Sequence, residues 1–244
     1  LVDSRDLFKP LAKTTLDRIP AQYRPNDGHW TGFAGRSTVL VYNPSLVSEA
    51  DLPTSLLDLA DPQWAGKVSF SPTGADFQAI VAAVLALEGE EATKTWLAGI
   101  KANGKTYQGN NVVLKSVNAG EVATGIIYHY YWDRDQEESG ENSSNSKLYF
   151  FGDKDPGAFV STSGAGVLAN GDHVTDAEMF VDYLTSAEGQ QIIADSYALE
   201  YTLNPEVPLG REVKPFAELE PPAVGVSELD SQKVVQLMQD AGLL

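Results

Sequence analysis

The chain has 244 residues, of which 43% are apolar, and a mean hydropathy of -0.20, a composition typical of a folded chain of one large or two modest domains. Its 17 basic and 34 acidic side chains give a net charge of -17, which excludes nucleic acid and anionic membrane surfaces as partners because both are bound through basic patches. The absence of cysteine excludes disulfides, thiolate metal sites and cysteine nucleophiles, and it fits an oxidising compartment.

Hydrophobic periodicity predicts alternating strands and helices along most of the chain. In chain order, we expect an amphipathic segment over 7–19, strands over 30–33 and 37–42, a helix over 53–61, a strand over 67–71, helices over 77–87, 91–103 and 112–118, a strand over 122–127, a helix over 130–138, a strand over 147–151, an irregular stretch over 153–164, a strand over 167–169, and helices over 175–184, 186–195 and 231–240. This alternation indicates an α/β fold with largely parallel strand pairing. No run of about 18 apolar residues and no signal peptide occurs in the sequence, so we expect a mature or trimmed chain that is not embedded in a membrane.

Three of the ten tyrosines lie within four residues, in the stretch Gly125-Ile-Ile-Tyr-His-Tyr-Tyr-Trp-Asp-Arg134. The predicted strand and helix place Tyr128, Tyr130 and Tyr131 at the carboxyl end of a strand, where open α/β sheets have their ligand crevices. Two phenol oxygens at that position suit a hard, highly charged cation, which lowers the phenol pKa and binds the phenolate. The alternative is that these aromatic residues only pack, with a hydroxyl at the surface.

A loop of small residues, Ser71-Pro-Thr-Gly-Ala-Asp76, precedes the predicted helix over 77–87. Hydroxyl residues and glycine at a helix start expose main-chain N–H groups to an anion such as phosphate, carbonate or a carboxylate. The alternative is an ordinary N-cap loop, in which Asp76 is an acidic residue favoured at a helix N-terminus. Asn110 is expected to be the N-cap of the helix over 112–118, and Thr175 opens a predicted capping box.

Enzyme motifs are missing from the sequence, which has no Gly-x-Ser-x-Gly, His-Glu-x-x-His, P-loop or Gly-x-Gly-x-x-Gly. With only three histidines and no cysteine, few nucleophile–base pairs can form, and we expect a protein that is not an enzyme. His129 is a candidate for binding metal or anion, although the neighbour of a ligand often points the other way. His29 and His173 are expected in solvated turns.

Several segments together resemble one family. Residues 56–68 are similar to its "DLADPxWxGK" segment, residues 96–103 to "WLxGLKAN", residues 35–44 to "GRxxVxVYN", and the adjacent tyrosines to its double-tyrosine motif. The family is that of the bacterial periplasmic ferric-ion-binding proteins, the iron(III) receptors of ABC importers with a transferrin-like, two-lobed design. The matches run in family order from about Leu7 to the C-terminus.

The resemblance implies an α/β fold of the periplasmic-binding-protein type II class, with two lobes joined by hinge strands that close on ligand. Crossings near Arg36, Ser161 and Arg211 would assign residues 1–35 and 161–211 to the N-terminal lobe and residues 36–160 and 212–244 to the C-terminal lobe. Family members carry a further part of the first lobe before the position that matches Leu1. We therefore expect an incomplete first lobe with exposed apolar surface, and self-association through it.

The resemblance also implies the ligands. Tyr130 and Tyr131 would bind Fe(III) as phenolates, together with a synergistic anion that is carbonate, phosphate or citrate. The residues that would hold the anion are Thr73, Gly74, Ala75 and Asn110.

Two positions depart from the family pattern. Tyr128 stands where relatives often have an asparagine that contacts the anion, which argues against phosphate as that anion. Asp76 stands where some relatives with a tyrosine-rich site carry a further tyrosine, and a carboxylate there could also ligate Fe(III).

These observations predict an extracytoplasmic receptor, periplasmic or on the cell surface. It would capture ferric ion or a ferric chelate and deliver the metal to the permease of an ABC importer. One alternative is a receptor for a small organic anion or phosphonate, in which the tyrosines only line the cleft. A more distant alternative is a hydrolytic or transfer enzyme.

Overall fold

The computed structural model describes residues 6–209 and 213–244, and the chain forms two compact units. Unit 1 comprises Leu1–Arg36, Thr162–Phe216 and Gly225–Glu228, and unit 2 comprises Ser37–Ser161, Ala217–Val224 and Leu229–Leu244. The chain crossing that we expected near Arg211 lies outside the described residues. The assignment of residues to two lobes that close on ligand stays a prediction.

Helices and strands alternate through most of the described chain. The strands are β1 (Phe8–Lys9), β2 (Trp30–Tyr42), β3 (Val68–Phe70), β4 (Gly104–Thr106), β5 (Thr124–Tyr128), β6 (Lys147–Tyr149), β7 (Val160–Leu168) and β8 (Tyr201–Thr202). The α-helices are α1 (Lys13–Leu16), α2 (Ala75–Asn103), α3 (Asn110–Asn118), α4 (His129–Glu138), α5 (Val174–Thr185), α6 (Ala187–Asp195) and α7 (Ser231–Asp240). No described helix is long and apolar enough to cross a membrane.

In unit 2, the sheet has the order β4, β3, β5, β2, with β6 also paired to β2. β3 is parallel to both β4 and β5, because helical connections join these strands. β2 runs antiparallel to β5 and β6. In unit 1, β1 pairs antiparallel with β7, and β8 pairs antiparallel with the first half of β2. The prediction of largely parallel pairing was therefore wrong, since among the described pairings only those of β3 are parallel.

One core cluster of unit 2 forms where α3 packs on the sheet. Val117 follows Leu114 by three residues and Val113 by four, the spacing of one buried face of a helix. They pack with Val39 and Val41 of β2, which are fully buried. This packing fixes α3 beside β5, the strand that leads into the tyrosine helix. A separate core in unit 1 consists of Leu11, Val167 and Val181.

Glycines lie at two of the helix boundaries, and a third helix lacks its predicted cap. α2 is interrupted at Gly89, whose φ of 81° and ψ of 175° are not helical, and this break separates the two helices that were predicted over 77–87 and 91–103. Gly109, with a φ of 103°, is the N-cap of α3, so the prediction that Asn110 is the N-cap was wrong. Helix α5 begins at Val174 without a side-chain cap, which contradicts the capping box predicted at Thr175.

The stretch over 153–164, which is rich in glycine, was predicted to be irregular, and this was wrong only from Val160 onward. It contains a 3-10 turn at Pro156–Ala158 and the start of strand β7 at Val160. A Cβ at Gly164 would lie 2.6 Å from the indole of Trp30, so glycine here permits close packing rather than ending the strand.

Candidate functional site

Three strand ends lie at one edge of the unit 2 sheet. Since β3, β4 and β5 are parallel, their carboxyl ends lie at the same edge. β3 leads into α2, β4 into α3, and β5 directly into α4, so the N-termini of these helices follow the three strand ends. The fold thereby brings together the predicted anion loop, Asn110 and the tyrosine motif.

Tyr130 and Tyr131 form a stacked pair at the start of α4. Their ring centroids are 4.3 Å apart with an interplanar angle of 29°. Tyr130 is 7% exposed, while Tyr131 is partly exposed. The Arg134 guanidinium lies 4.6 Å from the centroid of the Tyr130 ring, one helical turn along α4, in a cation–π contact.

Asp76 lies at the centre of the contacts between these segments. Its Oδ2 accepts hydrogen bonds from the Tyr131 hydroxyl at 2.9 Å and from Asn110 Nδ2 at 2.8 Å. Its main-chain carbonyl accepts a hydrogen bond from the Tyr128 hydroxyl at 3.2 Å. The first turn of α2 is thus connected to α3, to the end of β5 and to α4 through one residue.

The electrostatic surroundings favour the neutral form of Tyr131. Burial raises the pKa of its phenol, and the negative charge of Asp76 and the hydrogen bond to that carboxylate raise it as well. Hydrogen bonds with Tyr130 and Asn110 oppose this effect without cancelling it. A cation that binds the Tyr131 oxygen at neutral pH must therefore displace a proton.

The predicted anion loop ends in a helix N-terminus without a side-chain cap. Gly74 is the N-cap of α2 and supplies no side-chain hydrogen bond, and its neighbours Thr73 and Ala75 are exposed. The hydroxyl of Ser71 accepts a hydrogen bond from the main-chain N–H of Gly109 at 2.9 Å, which ties this loop to the start of α3. Such a terminus can accept an anion.

His129, the first residue of α4, is buried beside β2 rather than at the surface. It is fully buried, and its Nδ1 accepts a hydrogen bond from the main-chain N–H of Ser37 at 3.2 Å. Its ring meets that of Tyr130 edge to face at 6.1 Å. The hydrogen bond to this nitrogen therefore connects the start of α4 to β2. The other histidines, His29 and His173, lie in unit 1, near Asp27 and Asp176 respectively.

The sequence did not single out Arg134 or Ser71. The spacing of four residues between Tyr130 and Arg134 was the available signal for the first, since residues so spaced are neighbours on a helix. No comparable signal marked Ser71, because its contact with Gly109 depends on the pairing of β3 with β4. In the described residues, no group of three or more histidine, aspartate and glutamate side chains is placed to hold a metal ion.

Comparison with known proteins identifies the family. Residues 2–216 match the family model described as bacterial extracellular solute-binding protein. The chain belongs to this family. It is 50% identical over 244 residues to the Fe(3+)-binding periplasmic protein of Serratia marcescens, an alignment that covers 100% of this chain and 72% of that protein.

Solved structures support the same assignment. The structure of iron-bound HitA from Pseudomonas aeruginosa superposes with a TM-score of 0.91 at 39% identity, covering 99% of this chain and 78% of that one. The Trichodesmium protein IdiA (FutA), in complex with iron and citrate ligands, superposes with a TM-score of 0.88 at 25% identity, covering 99% and 79%. The expected family and the α/β fold of type II periplasmic-binding proteins are therefore confirmed.

Proposed function

We propose that this solute-binding protein captures Fe(III) outside the cytoplasm, in the periplasm, and delivers it to the permease of an ABC importer. The metal ligands that the chain would supply are the phenolates of Tyr130 and Tyr131. The observation that carries the proposal is the stacked tyrosine pair at the carboxyl end of β5, beside the uncapped N-terminus of α2. The relative from Serratia marcescens, named for Fe(3+) binding, supports it.

The chemistry of this cluster matches the cargo. Fe(III) is a hard, highly charged cation and prefers anionic oxygen ligands. When it binds, each phenol loses its proton to solvent, and the metal charge stabilises the phenolates that form. The Arg134 guanidinium lies over the face of the Tyr130 ring.

The remaining coordination would come from an anion and from neighbouring groups. The exposed loop of Thr73, Gly74 and Ala75 would hold carbonate, phosphate or citrate against the N-terminus of α2, with Asn110 as a side-chain donor. Tyr128 and His129 are buried and hydrogen-bonded to the main chain of neighbouring segments, which favours a supporting role for both.

A visible absorption titration with ferric citrate tests the metal site. Phenolate bound to Fe(III) gives a broad charge-transfer band, which should saturate when iron and protein reach equal concentrations. Tyr131→Phe keeps the ring stack but removes one ligand oxygen, so the band should be lost or strongly weakened.

Tyr42→Phe is the matched control. The Tyr42 hydroxyl also donates to a carboxylate, that of Glu49 at 3.3 Å, but it lies where β2 pairs with the beginning of β5, at the other end from the motif. The control should keep the full band. If the wild-type chain develops no band and instead binds a small organic anion or a phosphonate without iron, the protein is an anion receptor. Turnover of such a compound would indicate an enzyme.

Self-association is a separate part of the proposal. Helix α5 exposes Met179, Phe180 and Tyr183, with exposed fractions of 67%, 61% and 41%. Exposed apolar side chains this close together favour association. The molar mass in solution, measured by light scattering over a range of concentrations, tests this directly.

A further inference from the structure

The pairing of β2 with β5 ends just before the tyrosine pair. The last residues in register are Thr38 and Tyr128, and in the same register Ser37 would face His129. At His129, however, the chain turns into α4, so its main chain no longer continues the strand. The imidazole takes over this role, because its Nδ1 accepts a hydrogen bond from the Ser37 N–H at 3.2 Å. The side chain of His129 therefore extends the pairing by one step and satisfies a buried main-chain donor.

Ser37 lies where the chain passes from one unit to the other. Unit 2 begins at Ser37, and the chain leaves this unit again after Ser161. The residue that follows, Thr38, donates its main-chain N–H to the carbonyl of Phe159 at 3.0 Å, two residues before the second passage. His129 thus holds β2 next to both passages of the chain, through contacts that lie within unit 2.

The same imidazole packs against the proposed metal ligands. Its ring meets that of Tyr130 edge to face, with centroids 6.1 Å apart and an interplanar angle of 89°, and Tyr130 in turn stacks on Tyr131. A ring nitrogen that accepts a hydrogen bond carries no proton, so the proton of this imidazole is on Nε2. The ring cannot turn without leaving the Ser37 N–H buried and unsatisfied, which is unfavourable. One hydrogen bond therefore fixes the ring that supports Tyr130.

From these contacts we propose that His129 is a positioning residue for the metal site, which ties the Tyr130 ring to strand β2 at the passage between the units. The inference rests on the proposed function of the tyrosine pair. Fe(III) on the Tyr130 oxygen restrains that ring, the ring restrains the imidazole, and the imidazole restrains the Ser37 N–H. Coupling between two sites is reciprocal, so a change in β2 at Ser37 alters the affinity for iron as much as iron alters β2 there.

His129→Phe and His129→Asn separate ring packing from the hydrogen bond. Phenylalanine keeps a ring but has no acceptor, whereas the Oδ1 of asparagine can take the place of Nδ1 and accept from Ser37. Fe(III) affinity is measured by competition with a synthetic chelator. His129→Phe should lower it by about tenfold to a hundredfold, the range typical for a group that orients a metal ligand. His129→Asn should recover most of this loss.

Hydrogen exchange and a control variant distinguish positioning from general stability. In wild type, exchange of the Ser37 amide should slow on Fe(III) binding by about the factor that His129→Phe loses in affinity, because the coupling is reciprocal. In His129→Phe, this amide should no longer respond to iron. Asn103→Leu is the control, since Asn103 is buried at the far end of α2 and donates to the carbonyls of Leu59 at 3.0 Å and Asp61 at 2.7 Å. It should lower the thermal midpoint but keep the wild-type affinity and charge-transfer band.

Three results would overturn the inference. One is wild-type affinity for Fe(III) in His129→Phe. Another is an affinity of His129→Asn no higher than that of His129→Phe, since the hydrogen bond to Ser37 would then not matter. The third is exchange of the Ser37 amide in wild type that iron does not change, a result that needs no variant to fold. These results leave the proposed function intact, because it fails only if wild type binds no iron or Tyr131→Phe keeps the full charge-transfer band.

Discussion

Gln190 is the residue on which the packing of α6 in unit 1 depends most clearly. Its side chain is fully buried and takes part in four hydrogen bonds. Its Nε2 donates to the main-chain carbonyls of Phe33 at 2.7 Å and Leu184 at 2.8 Å. Its Oε1 accepts from the main-chain N–H groups of Leu203 at 2.8 Å and Asn204 at 3.0 Å. One amide thereby connects β2, the end of α5 and the segment after β8.

Gln190→Leu should strongly destabilise the protein. Leucine has a similar volume, so the loss comes from polar groups that stay buried without their partner. A net contribution of about 1 kcal/mol for each of the four bonds gives a loss of about 4 kcal/mol in the free energy of unfolding. This is a large fraction of the ~5–15 kcal/mol that stabilises a typical domain.

Urea denaturation followed by far-ultraviolet circular dichroism measures this loss. Hydrogen exchange of the Leu203 and Asn204 amides gives a local measurement, since both lose their acceptor and should exchange faster. Gln191→Leu is the control, because the neighbouring side chain is exposed and is bonded within α6 to Asp195; it should change stability by less than about 0.5 kcal/mol. A loss below about 1 kcal/mol for Gln190→Leu, with unchanged exchange of the two amides, would refute the reasoning.

Two further predictions concern pH and core packing. The hydrogen bond from Thr15 keeps the pKa of the Asp182 carboxyl below its usual range, with burial opposing the shift and the Arg18 guanidinium supporting it. The Asp182 carboxylate therefore stabilises the folded state at pH values above its unfolded pKa of about 4, and this contribution is lost as the pH falls through its lower pKa in the folded state. In Asp182→Asn, the free energy of unfolding should therefore decrease less steeply as the pH is lowered. Gly125→Ala should cost about 1–3 kcal/mol, because a Cβ there would lie 2.5 Å from Val113 Cγ1.

Each of these has its own check. Thermal midpoints between about pH 2 and pH 7 should converge for wild type and Asp182→Asn at the acid end; parallel curves would contradict the assignment. For the glycine variant, Gly171→Ala is the control, since its Cβ would meet nothing closer than 3.6 Å. If both alanine variants unfold at the same urea concentration, the sheet and α3 repack without loss of stability, and the prediction for Gly125→Ala is wrong.

Much of the architecture could be predicted from the sequence because it depends on local patterns. The last helix, Ser231–Asp240, was predicted at the observed boundaries, and Ser186 caps α6 through the Gly189 N–H as expected. The tyrosine motif was predicted at a strand end followed by a helix, and β5 and α4 have this order. Periodicity, capping and helix-stopping glycines are properties of neighbouring residues, so one sequence contains them.

Strand pairing and the contacts of the site required the tertiary structure. Nothing local in β2 indicates that it runs antiparallel to β5 and β6. The sequence alone left Asp76 as either a helix-start residue or a ligand, because its hydrogen bonds to Tyr131 and Asn110 join residues 55 and 34 positions away. The sequence by itself therefore determined which residue types form the site, the order of these residues along the chain, and the family of the protein. Only the parallel pairing of β3 with β4 and β5 decided that a carboxylate, an amide and a phenol share one point, since that pairing brings three distant strand ends to one edge.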